Sequence, residues 1–183
     1  MPTTGSVKHQ QIGGASSSGE FGSILKEIFA PETETEFAWE RWATLRGKRM
    51  YVFSFHVRQL RSQYSIYADA VKRTIIVGYH GLVYADRDTN MVMRIKLDVE
   101  DLPVDFPIQS VALDMNYDVS KISGQEYLLP LKSEIRSREG RFLVKNEVEF
   151  RLYNRFGAET NIQFGDVPDA LPEATTKELP AEK

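Results

Sequence analysis

The sequence predicts a mainly β fold, a strongly curved antiparallel sheet or unclosed half-barrel with one short N-terminal helix; a two-sheet β-sandwich is the alternative. Three observations carry this. From Lys48 onward apolar and polar residues alternate with period two. The strands so defined have one apolar and one polar face, as in antiparallel sheets with a solvated side, whereas parallel sheets covered by helices read as continuous apolar runs. Only one segment has helical spacing. About nine or ten strands are expected, and a sheet that wide must coil, close or fold into two layers.

The elements follow in chain order. Residues 1–21 are rich in Ser, Gly and Gln, and ordering them would cost entropy without apolar burial in return, so they read as a disordered arm or linker. In "SILKEIFAPE", Ile24, Leu25, Ile28 and Phe29 form an apolar stripe, with Ser23 available as N-cap and Pro31 ending the run. A helix this short is marginal alone and must lie on something, and it is the element expected to move most easily. In "KRMYVFSFHV", Tyr51, Phe53, Phe55 and Val57 share a face against Met50, Val52, Ser54 and His56. Met91, Met93, Ile95 and Leu97 oppose Val92, Arg94 and Lys96, and Val111, Leu113, Met115, Tyr117 and Val119 oppose Ala112, Asp114, Asn116 and Asp118. A hairpin then turns at Glu139-Gly140, with Leu129, Leu131 and Ile135 inward before it and Phe142, Val144, Val148, Phe150 and Leu152 after it. "AETNIQF" closes the series, and the Pro- and Glu-rich end reads as a tail over 166–183. One β-rich domain over 22–165 is the expected organisation.

Composition narrows the function. The chain has 183 residues, 23 basic and 26 acidic, with a formal charge of -3, so nothing draws it to nucleic acid or an anionic surface. With no cysteine there is no disulfide, thiolate site or cysteine nucleophile. No stretch approaches the roughly 20 apolar residues of a membrane span. The N-terminus lacks the basic start and apolar run of a secretory signal, so the chain reads as cytoplasmic or as a piece of an exported protein.

Motifs with chemistry are scarce. "DRDTN", Asp86 to Asn90, resembles the first half of a calcium loop, but Met91 stands where that loop needs Gly and Leu97 where it needs Glu. The same residue types close hairpins through side-chain to backbone hydrogen bonds. His9, His56 and His80 share no ligand spacing, and Gly78 and Gly81 around His80 permit a bulge or tight turn. There is no G-x-S-x-G elbow, phosphate loop or H-E-x-x-H. No catalytic residue, cofactor or metal site is expected; an enzyme built around His80 and Asp86 is the outlying alternative. The inward aromatics and methionines are the positive feature. Tyr51, Phe53, Phe55, Met91, Met93, Met115 and Phe142 form the candidate apolar lining, because Met is polarizable and adapts to varied apolar ligands. An ordinary core is the simpler account of them; the lining is the alternative, because one short helix leaves a wide curved sheet incompletely covered.

A family pattern lies over "GLVYADRDTNMVMRIKLDVEDLPVDFPI", "NYDVSKISGQEYLLPLKSEIR" and "NEVEFRLYNRFGAETNIQF". The "YADRDT" turn, the strand leading to "YLLP" and the strand with Tyr153, Arg155, Phe156, Ala158 and Glu159 resemble uncharacterised bacterial exported proteins, a likeness reaching back to "GEFGSILKEIF". More distantly the chain is similar to outer-membrane lipoprotein-sorting (LolA/LolB-like) proteins. That resemblance implies an unclosed curved barrel in the periplasm, or another extracytoplasmic space if a signal lies upstream, holding lipid or an acyl chain. The expected function is a non-enzymatic module that binds lipid, an acyl chain or a lipidated protein in an apolar concavity; the alternative is a structural or protein-interaction domain with a fully packed core. Under the first, Met93→Glu abolishes ligand retention.

Overall fold

Seven antiparallel strands build one large unclosed sheet: β2 (Glu36–Leu45), β3 (Lys48–Val57), β6 (Gly78–Asp86), β7 (Val92–Glu100), β8 (Ile108–Ile122), β9 (Gln125–Glu139) and β10 (Phe142–Glu149). Their order is β10-β9-β8-β7-β6-β3-β2, and a two-residue strand, β11 (Glu178–Leu179), lies outside β2. A smaller sheet joins β1 (Ala15–Ser16), β4 (Ser65–Ala68) and β5 (Arg73–Ile76), and helix α1 spans Glu20–Ile28. The computed structural model describes residues 15–16, 20–151, 153, 170–172 and 175–179. The expected strand "AETNIQF" and most of both expected tails lie outside the described residues. Within those tails, Ala15–Ser16 pairs with β4 and Glu178–Leu179 pairs with β2.

The sheet curls because its strands twist and bulge. Arg46, in the β2–β3 turn, donates to the Tyr117 carbonyl at 2.6 Å and lies 3.5 Å from Asp118 Oδ2. Tyr117 is on β8, three strands from β3, which in a flat sheet is about 14 Å at the usual strand spacing. A single arginine bridges that distance only because the sheet bends toward it. Strands β6 and β7 approach closely at Gly81, where an added Cβ would fall 1.9 Å from the Lys96 carbonyl oxygen. His80 and its flanking glycines sit within strand β6 rather than at a corner.

Apolar residues are buried on both sides of the sheet. On one face, Ile24 and Ile28 of α1, Tyr64, and Ile66 and Ala68 of β4 cover Phe55, Val57, Tyr79, Val83, Ile95, Leu97, Leu113 and Met115. Helix α1 is tied there by Glu27, whose carboxylate accepts from the Gln63 backbone N–H at 2.7 Å and faces the buried Tyr79 hydroxyl. On the other, Ala43, Leu45, Met50, Val52, Tyr84 and Met93 form a second cluster. Sequence alternation groups Met93 with Ile95 and Leu97. A bulge, in which Ala85 pairs with Val92 but Tyr84 with Arg94, breaks that alternation and delivers Met93 to the second cluster.

Candidate functional site

The apolar face continues beyond the part that α1 and the small sheet cover, and there it is aromatic and open. Cross-strand pairing sets Phe37 beside Phe55, Trp39 beside Phe53 and Trp42 beside Tyr51. Positions 39 and 42 would point to opposite faces in a regular strand. A bulge at Glu40, where pairing shifts between Trp39 and Arg41, puts both tryptophans on one face.

The rings make a continuous surface. Trp39 meets Trp42 edge-on at 5.3 Å and Phe53 at 5.6 Å, while Trp42 lies 4.8 Å from Tyr51. Arg49 holds its guanidinium over Trp42, 4.2 Å from the ring centre. Phe29, just past the end of α1, stacks on Phe37 at 5.4 Å, at the border between covered and open face. Phe37 and Trp39 remain 45% and 49% exposed, whereas Phe55, one step along the same row, is 2% exposed. Aromatic rings left this open keep unspent apolar surface, and fixed rings lose little entropy when a partner covers them.

The residues expected to line a concavity do not converge. Phe55 and Met115 are buried in the main core and Met93 in the second cluster. Tyr51 and Phe53 belong to the open aromatic face. Met91 stands in the β6–β7 turn, 38% exposed. Phe142, 64% exposed, borders an open groove of about 940 Å³ between residues 104–107 and the β9–β10 turn. Phe37, Trp39 and Trp42 were not legible as a set, because the bulge gives them a 37-39-42 spacing that fits neither period.

The polar residues of interest satisfy one another. Asp86 is buried and closes the β6–β7 hairpin: its Oδ1 accepts from the backbone N–H of Asp88 at 2.8 Å and of Thr89 at 3.3 Å, and Oδ2 lies 3.2 Å from Lys48. Burial pushes its carboxyl up, but those donors and Lys48 outweigh it and hold the group below the ordinary carboxylate value. "DRDTN" is thus a hairpin turn whose first carboxylate is already fully used. Folding also makes a neighbourhood that chain spacing hides: His56 and His80 are cross-strand partners, and both imidazoles contact Glu100, His80 at 3.0 Å. Among the described residues no three His, Asp or Glu side chains are placed to hold a metal ion. Behind the aromatic face, Tyr84 donates to Glu178 at 2.8 Å and accepts from Arg41, an arrangement in which burial and the Glu178 carboxylate push its hydroxyl up to about 12.

No family model, no curated protein and no solved structure matches the chain. Among the described residues no helix is long and apolar enough to cross a membrane.

Proposed function

We propose that the chain is a non-enzymatic binding module that receives an apolar segment of a partner protein on the open aromatic face of β2 and β3. The observation that carries this is the half-exposed set Phe37, Trp39, Trp42, Tyr51 and Phe53, continuous with the buried core around Phe55. Trp, Tyr and Arg supply most of the energy at protein interfaces, and here Arg49 completes that trio. An open face suits a protein segment better than a free lipid, whose pocket normally encloses most of it.

The resemblance to lipoprotein-sorting proteins supports a second reading, in which the segment is an acyl chain or the lipidated end of a protein in an extracytoplasmic space. A fully buried methylene gains roughly 0.8 kcal/mol, so a long chain covered on one side still gains several kcal/mol in total.

Trp39 and Trp42 are the only two tryptophans, so tryptophan emission, excited where tyrosine does not absorb, reports on this face alone. Titration with decanoate and with a short amphipathic peptide should shift and quench that emission, and Trp39→Ala should weaken binding at least tenfold without changing the circular dichroism spectrum. A flat titration with both probes would remove the reading; a response to decanoate alone would select the lipid form.

A further inference from the structure

Strand β2 is the outermost of the seven, and on its outer side only Thr44 and Leu45 pair, with Leu179 and Glu178. The edge of residues 36–43 carries no strand among the described residues. Exposed carboxylates surround it: Glu32, Glu36 and Glu40 make no ion pair among the described residues. The nearby cations are already engaged. Arg58 and Arg61 pair with Glu34, Arg41 with Glu178, and Arg49 lies over Trp42.

We propose that this edge docks an extended basic segment of a partner protein, added to β2 as a further strand with alternating basic and apolar residues. The proposal rests on the binding-module reading above and adds the partner's conformation and charge. Two features of the fold argue for it. β11 is an extended segment already seated on this edge, and its acidic Glu178 answers the edge's basic Arg41 at 2.8 Å. The part of the edge that pairs with no strand among the described residues reverses that sign, so Glu36 and Glu40 call for Lys or Arg in a strand laid beside them. Successive side chains on an added strand face opposite sides of the sheet, so with basic residues toward Glu36 the apolar ones would lie over Phe37 and Trp39 on the aromatic side. The guanidinium of Arg49 over Trp42 is an internal example of a cation held by this same aromatic set.

The test uses the full chain and three synthetic decapeptides: alternating Lys and Val, alternating Glu and Val, and the Lys-Val peptide N-methylated at alternate residues to block strand pairing. Tryptophan emission gives each Kd at low and high salt. The Lys-Val peptide should bind at least tenfold tighter than either of the others, with its advantage shrinking as salt screens the carboxylates. The preference for Lys-Val over Glu-Val should invert in the exposed double variant Glu36→Lys, Glu40→Lys. Equal affinity for the Lys-Val and Glu-Val peptides, indifference to N-methylation, or an unchanged preference in the double variant would overturn the proposal. If decanoate still bound in that case, the aromatic-face reading would survive alone; with no response to any probe, both would fall. A homodimer through β2 that the Lys-Val peptide fails to dissociate in sedimentation would assign the edge to a second copy and also overturn it.

Discussion

Arg94 grips Asp114 with two donors, Nε to Oδ1 at 2.8 Å and Nη2 to Oδ2, across the β7–β8 ladder. The arginine side chain is 9% exposed and packs its guanidinium over the ring of Tyr84, at 5.5 Å. Removing the carboxylate alone would leave a desolvated cation without its hydrogen-bonded counter-charge, with only the Glu178 charge acting on it. Asp114→Ala should therefore cost about 2–4 kcal/mol in urea unfolding, less than for a fully buried pair because Asp114 is 24% exposed. The double variant Arg94→Met, Asp114→Ala should lose clearly less than the sum of the single variants, since it removes the stranded charge as well.

Gly81 is fixed by backbone. A methyl group there meets the Lys96 carbonyl carbon at 2.8 Å as well as its oxygen at 1.9 Å, and neither can turn aside as a side chain would. Gly81→Ala should destabilise by roughly 3 kcal/mol or more, by forcing β6 and β7 apart in the middle of the sheet. In a chain of this size that lowers Tm by roughly 6–12 °C. A variant melting within a degree or two of the parent would show that the ladder yields there.

Core truncation separates the buried apolar residues from the exposed ones. Phe55→Ala should cost about 3–5 kcal/mol and Met115→Ala about 2–5 kcal/mol, because each opens a cavity among fully buried neighbours. Met91→Ala and Phe142→Ala should stay within about 0.5 kcal/mol. Met93 is 2% exposed in the second cluster, so Met93→Glu buries a carboxylate without a partner and unfolds the chain before it reports on any ligand. Trp39→Ala is the variant that tests binding.

Much of this fold was legible because alternation is a local property. Val111, Leu113, Met115 and Tyr117 share a face in β8 as their spacing requires, and β9 joins β10 one residue later than expected, through a turn at Gly140-Arg141 after Glu139 pairs with Phe142. Legibility ends at bulges and at long-range pairing. The extra residue at Glu40 hides the aromatic face, and the one at Val92 and Met93 sends Met93 to the opposite side. His56 and His80 are brought together by β3 and β6 pairing around an inserted hairpin, for which no spacing in the chain stands as a sign. Helix α1 begins at Glu20, three residues before the Ser23 cap the stripe implies.

Asp86 makes the stability of the β6–β7 hairpin depend on pH with a definite sign. Its folded carboxyl titrates below the ordinary value, so its contribution is complete above the unfolded pKa of about 3.9 and is lost as pH falls through the lower folded value. Asp86→Asn keeps an acceptor for the Asp88 and Thr89 amides but removes the charge that Lys48 and those amides favour. At pH 7 the variant should be less stable by about 1 kcal/mol, and the gap should close as pH drops below about 4. Glu147, held at about 2 by Lys132 and Lys145, titrates over the same range in both proteins and cancels in the difference. Paired urea unfolding curves from pH 7 to pH 3 measure the gap directly. A gap that stays constant with pH would mean that Asp86 acts through shape and hydrogen bonding alone, and that its charge adds nothing to the turn.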